Sequence, residues 1–235
     1  MKIDFAGKTA LVAGGTGGLG RAVSLAFLEE GAKVVVPYRS DAEFAELKRA
    51  ASGREAQIVG RTTDVLDEAA IAKLVEDTGT IDVLVSTVGA YVWGDEVWKL
   101  APADLDRMLN LNLRAGYLLT RAVVPGMLKR GRGAVVNVSA KAALDHAARA
   151  SAYAASKAAE LAMMDCLAAE TRGKGVRVNS VLPSIIDTDA NRKAMPDANF
   201  DAWPKPEDIA KVILFLASDA AKVVHGAAVT VYGDS

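Results

Sequence analysis

The sequence predicts an α/β fold, a single domain built as a doubly wound parallel sheet with helices on both faces. Three observations carry that expectation. Short β-branched runs alternate with helical segments along the 235 residues, the runs are mostly apolar, and a glycine-rich turn joins the first run to the first helix. Strands buried on both faces read as unbroken apolar runs, and their alternation with helices marks βαβ units.

Strands are expected at residues 9–13, 33–36, 58–61, 81–85, 134–138, 176–182 and 229–232, and helices at 21–30, 42–51, 68–77, 103–129, 153–172 and 206–217. Several borders carry the right punctuation: Gly31 closes the first helix, Gly173 and Gly175 close the fifth, and Pro206 opens the last. Glycine ends helices because it accepts a left-handed backbone, and proline starts them because its missing N–H has no helical partner there. Residues 183–205 form the one long stretch without a pattern. A connection of that length is expected to cover a ligand. No repeat or linker divides the chain, so residues 1–235 are expected to form one domain.

Composition narrows the function classes. Hydrophobic residues make up 51% and charged residues 24%, and Lys+Arg 28 against Asp+Glu 29 leaves a net charge of -1. With no basic cluster, the electrostatic footprint of a nucleic-acid binder is missing. No apolar run approaches the ~20 residues of a membrane span, and residues 1–5 lack an apolar signal core. A cytoplasmic protein with no nucleic-acid or membrane partner is expected. No metal site is expected either. The only cysteine, Cys166, lies among Leu161, Met163, Met164 and Leu167 and is expected to be buried.

The first strand ends in Ala13-Gly14-Gly15-Thr16-Gly17-Gly18-Leu19-Gly20, and a helix follows at once. Glycine lets the backbone turn sharply and come close to a pyrophosphate, which the N–H groups and dipole of the helix N-terminus then hold. Gly14, Thr16, Gly18, Leu19 and Gly20 are therefore candidate cofactor contacts. The second strand runs into Pro37-Tyr38-Arg39-Ser40. A fold selecting NAD ends this strand with a carboxylate for the ribose 2′-hydroxyl, whereas arginine suits a 2′-phosphate. NADP(H) is expected, with NAD(H) as the alternative.

Tyr153 and Lys157 stand four residues apart, on one face of a helix. A neighbouring ammonium favours the phenolate and is expected to bring the Tyr153 hydroxyl toward the range of acid/base work.

These features resemble the short-chain dehydrogenase/reductase family along nearly the whole chain. The matching residues, in order, are Gly14-x-x-x-Gly18-x-Gly20, Asp64, Gly89, Asn112, Tyr153-x-x-x-Lys157, Pro183 and Thr188. The resemblance implies a Rossmann-type sheet of seven strands and a small-molecule substrate. It puts Asp64 at the adenine and Thr188 on the nicotinamide side, with Val65, Gly89 and Pro183 as further cofactor contacts. Lys157 would hold the nicotinamide ribose, Asn112 would position a relay water, and Tyr153 would move the proton. A homodimer or homotetramer is implied, joined through helices 103–129 and 153–172.

Departures from the family pattern are informative. Ser86-Thr87-Val88-Gly89 replaces the usual Asn-Asn-Ala-Gly, and Ser184 replaces a common glycine. Ala140 stands where the family carries a serine for the substrate carbonyl, with Ser139 one position early. At a strand end a one-residue offset sends a side chain to the opposite face. Three readings remain open: a non-catalytic dinucleotide-binding sensor, a substrate that needs no serine, or a carbonyl or 3-oxoacyl reductase in which Ser139 serves.

Residues 140–145 and 187–203 favour the second. They are similar to quinonoid dihydropteridine reductases, a branch that lacks the serine and shares an Asp-Thr, Asn-Arg-Lys-x-Met-Pro and Phe-x-x-Trp pattern. A planar pterin would be held by aromatic faces, which makes Tyr91, Trp93 and Trp203, with Ala140, the candidate substrate contacts. His146 and His225 are expected to be loop and turn residues.

Overall fold

The computed structural model describes residues 3–235, so residues 1 and 2 of the expected domain and signal-core reading lie outside it. Seven parallel strands form one sheet in the order β3-β2-β1-β4-β5-β6-β7. They are β1 Thr9–Ala13, β2 Lys33–Tyr38, β3 Ile58–Thr62, β4 Val83–Ser86, β5 Gly133–Val138, β6 Val176–Pro183 and β7 Ala228–Val231. Among the described residues the eight α-helices are α1 Gly18–Glu29, α2 Asp41–Ala50, α3 Glu68–Thr78, α4 Pro102–Met108, α5 Ala115–Arg130, α6 Ser151–Thr171, α7 Asp189–Ala194 and α8 Pro206–Ala217.

The apolar runs divide their residues between two cores, as a side-chain period of two requires. Ala10, Val12, Val34, Val36, Val83 and Val85 join the layer under α1 and α8. Leu11, Ala13, Val35 and Leu84 join the layer under α3, α5 and α6. Chain order reverses between β1 and β4, and ligands of open α/β sheets bind at the strand ends beside such a switch point. The turns after β1 and β4 flank it.

Five expectations are corrected. The first helix starts at Gly18, inside the glycine motif, and the second strand extends through Tyr38. The helix expected at 103–129 is interrupted by a π-helical turn, Leu109–Arg114, between α4 and α5. The stretch 183–205 is not patternless: it holds α7 and a 3-10 turn at Phe200–Ala202, joined by irregular backbone. Cys166 is exposed. Met164 and Ala168 face the core, and a residue two positions from each points to the far side of the helix. Among the described residues no helix is long and apolar enough to cross a membrane, and no His/Cys/Asp/Glu cluster could hold a metal ion.

Candidate active site

The turn after β1 is built around Gly14, whose φ of 78° is a left-handed conformation that suits glycine. Gly20 packs so tightly behind it that a Cβ there would lie 2.0 Å from the Gly14 carbonyl oxygen. Thr87 buttresses the turn, donating from its hydroxyl to the Ala13 carbonyl at 2.9 Å. That contact gives the unusual Ser-Thr-Val-Gly segment a local purpose. The first turn of α1 has no side-chain cap and no acidic residue, so its amides remain available to an anion. The turn therefore fits a dinucleotide pyrophosphate. Across the crevice Thr188 caps α7, and its methyl group would touch a Cβ on Gly18 at 2.7 Å. The segment after β6 thus lies against the glycine turn.

At the end of β2 the Tyr38 ring stacks on Phe44, centroids 4.6 Å apart, and offers no carboxylate. Arg39 is exposed beyond it. A carboxylate missed by sequence reading does reach this end: Glu43 Oε2 accepts from the Thr16 hydroxyl at 2.9 Å. Asp64 is exposed, its carboxylate capping the backbone of Leu66, and Val65 is half-buried against the core.

Asn112 sits in the π turn and is fully buried. Its Oδ1 accepts from the Ala90 N–H at 2.7 Å, and its Nδ2 donates to the Ala90 carbonyl at 3.0 Å and to Ser156 Oγ at 2.8 Å. Ser156 in turn donates to the Tyr153 carbonyl at 2.8 Å. π turns gather at functional sites because the inserted residue redirects a side chain that a regular helix would aim elsewhere.

Tyr153 is partly buried, and Tyr91 packs edge-on against it with ring centroids 4.8 Å apart. Lys157 Nζ donates to the Val138 carbonyl and to Glu160 Oε2, each at 2.9 Å, and lies beside Gly89, where a Cβ would be 3.4 Å away. The expected lowering of the Tyr153 pKa is corrected. Burial, then the Glu160 charge, then Tyr91 push the phenol above its ordinary value. The ammonium meant to lower it is matched by Glu160, which the spacing of Tyr153 and Lys157 does not reveal.

A model of the short chain dehydrogenase family matches residues 8–199. The chain belongs to that family. It is 33% identical to the 3-oxoacyl-acyl-carrier-protein reductase of Thermotoga maritima, with 97% of each chain covered. It is 35% identical to the D-threitol dehydrogenase of Mycolicibacterium smegmatis, over 99% of this chain and 96% of that one. Among solved structures, ElxO with NADP bound superimposes with a TM-score of 0.90 at 26% identity, covering 96% and 97% of the two chains. Relatives that are named reductases and dehydrogenases make this short-chain dehydrogenase an oxidoreductase.

Within this family frame, the structure gathers Tyr153, Lys157, Asn112, Gly89 and Tyr91 at one end of the crevice and the glycine turn with Thr188 at the other. Pro183 ends β6 between them, and Ser184 donates to the Tyr232 carbonyl at 2.7 Å. Trp93 is 58% exposed and donates to the Ala148 carbonyl at 3.2 Å, tying the loop after β4 to the loop before α6.

Ser139 and Trp203 are not gathered there. The Ser139 hydroxyl is buried and donates to the Lys157 carbonyl at 3.2 Å. Ala140 is extended, so the two side chains face opposite ways and the backbone keeps the one-residue offset that turns Ser139 inward. Trp203 is only 6% exposed and tilts against Phe200, as a residue packed under its loop. His225 accepts from the Val178 N–H and bonds the Ala168 carbonyl, while His146 stays in an exposed loop.

Proposed function

We propose that this protein is an NADP(H)-dependent reductase of a small carbonyl or planar conjugated substrate, with Tyr153 as the proton donor. The observation that carries the reading is the placement of Tyr153, fixed from behind by Asn112 and Ser156 and from the side by Tyr91, one turn from a lysine beside Gly89. The bound dinucleotide supplies the hydride. The α1 amides and Arg39 bind its phosphates, and the remaining N–H of Lys157 holds the nicotinamide ribose. Tyr153 would deliver its proton to the other end of the reduced bond, the carbonyl oxygen or ring nitrogen on which negative charge develops. Asn112 holds the Ala90 turn, and with its side chain engaged it orders a relay water only through its backbone carbonyl.

The NADP(H) preference rests on Arg39, on the missing carboxylate at Tyr38, and on the NADP carried by the structural relative ElxO. A quinonoid dihydropterin is the second reading. It is favoured by Ala140, which offers no hydroxyl to a carbonyl, and by the Tyr91 and Trp93 rings, 59% and 58% exposed at the mouth. Exposed Leu105, Tyr117 and Leu128 on α4 and α5 support assembly into a homodimer or homotetramer through these helices. A single cysteine without a disulfide partner suits the cytoplasm.

The test is NADPH oxidation against a panel of ketones, 3-oxoacyl thioesters, quinones and quinonoid dihydropterin, with Tyr153→Phe as control. Loss of a proton donor typically costs roughly 10²–10⁴-fold, while NADPH affinity should stay close to wild type. Unchanged turnover in Tyr153→Phe would overturn the reading. NADPH binding without turnover on any substrate would favour the non-catalytic sensor.

A further inference from the structure

The first turn of α2 carries a motif of which the helix itself uses only half. Ser40-Asp41-Ala42-Glu43 has the spacing of a capping box, in which the serine accepts from the N–H three residues on and the glutamate reaches back to the serine N–H. The first half is made: Ser40 Oγ accepts from the Glu43 N–H at 3.3 Å. The second half is redirected. Glu43 turns its carboxylate across to the glycine turn after β1, where Oε2 accepts from the Thr16 hydroxyl at 2.9 Å.

Charge makes this redirection consequential. Thr16 is neutral, so it satisfies one lone pair of the carboxylate without matching its charge. Glu46, three residues further along α2, shows the contrast, because Arg21 of α1 pairs with it at 2.9 Å. Glu43 makes no ion pair among the described residues, and Asp41 adds a second acid to the same first turn. Arg39 stands directly before the Ser40 cap, so a cation and a carboxylate frame one corner of the crevice.

That corner faces the part of a dinucleotide that distinguishes the two cofactors. A dinucleotide held by the turn after β1 presents its adenosine ribose toward the end of β2, where a carboxylate selects the 2′-hydroxyl and an arginine the 2′-phosphate. Tyr38 leaves the strand end itself without an acid. Glu43 brings one in from α2, joined through Thr16 to the turn that fits the pyrophosphate. We propose that Glu43 is a cofactor-specificity residue: its carboxylate accepts from the ribose 2′-hydroxyl of NAD(H) and opposes the 2′-phosphate of NADP(H), which limits the preference that Arg39 confers. With both groups in place, the site binds both dinucleotides.

The inference rests on the dinucleotide site proposed above, and binding rather than turnover tests it. Calorimetry gives the dissociation constants of NADPH and NADH for the full-length wild type, Glu43→Gln and Glu43→Ala, with Arg39→Ala alongside to read the phosphate contact separately. Glu43 is exposed, and both variants keep the Ser40 cap because that bond uses the backbone N–H. Glu43→Gln removes the charge and keeps an acceptor. It should tighten NADPH about fivefold, the size of a like-charge repulsion at about 4 Å in water, and leave NADH within about twofold. Glu43→Ala removes charge and acceptor, so it should tighten NADPH to the same degree and weaken NADH by roughly three- to tenfold. The gain for NADPH should shrink in about 1 M salt, where charges are screened beyond about 3 Å. A Glu43→Gln protein whose NADPH and NADH constants move together, or by less than about twofold, overturns the proposal, since the carboxylate would then only hold the glycine turn. Wild-type protein that binds neither dinucleotide would overturn the site and the inference together.

Discussion

Asn112 and the backbone of Ala90 grip each other in both directions, 2.7 Å from Ala90 N–H to Oδ1 and 3.0 Å from Nδ2 to the Ala90 carbonyl. An amide side chain paired this way stands in for a strand neighbour, and the second Nδ2 hydrogen carries the connection to Ser156 and α6. Asn112→Ala would strand two backbone groups and Ser156 in the interior. Each unpaired buried group costs about 1–3 kcal/mol, so we expect a loss of roughly 2–4 kcal/mol in urea unfolding. Turnover should fall more than tenfold because the Gly89 turn and Tyr153 lose their shared anchor. Full activity in a stable variant would refute the anchoring role.

Arg39 should govern cofactor choice. A charge-assisted contact to a phosphate contributes about 1.5–3 kcal/mol, so Arg39→Ala should raise the KM for NADPH by about ten- to a hundredfold and leave that for NADH nearly unchanged. Steady-state kinetics with both cofactors decides this. Equal effects on the two would mean that Arg39 does not meet the 2′-phosphate.

Asp187 clamps the segment after β6. Its carboxylate accepts from Arg192 and Lys205, and these bonds hold it well below the usual carboxylate range. A depressed folded-state pKa means that the stabilisation is complete above the unfolded value, about 3.9, and drains away as pH falls below it. The urea midpoints of wild type and Asp187→Asn should differ at pH 7 and converge toward pH 3. A gap that widens in acid would contradict the assignment.

Ser139→Ala tests the direction of a side chain. The serine donates to the Lys157 carbonyl, so its loss should cost about 1 kcal/mol of stability and leave kcat within about twofold. A tenfold drop in kcat with stability intact would show the hydroxyl meeting the substrate after all.

Local pattern made most of the fold legible. The seven apolar runs, the glycine turn and the terminal residues of α8 are read directly from the chain, because helix and strand periods and glycine's steric freedom act over a few neighbouring residues. The candidate site was legible wherever it too depends on spacing, as with Tyr153 and Lys157. It was not legible where it depends on which side of an element is covered. Cys166 and Glu160 lie on one alanine-rich helix with several apolar neighbours, yet the first is exposed and the second fully buried. Trp203 reads as a cleft aromatic and proves to be packing, because Phe200 and the ordered loop around it fill the space first.

The sequence by itself determined the order of strands and helices, the phosphate-binding turn, and the presence of a tyrosine one helical turn from a lysine. Only the tertiary structure decided that a π turn aims Asn112 at Ala90, that Ser139 faces inward, and that a buried Glu160 answers Lys157. The physical reason is that each of these depends on what another element brings to within hydrogen-bonding distance or on which side chains it shields from water, and no local period records that.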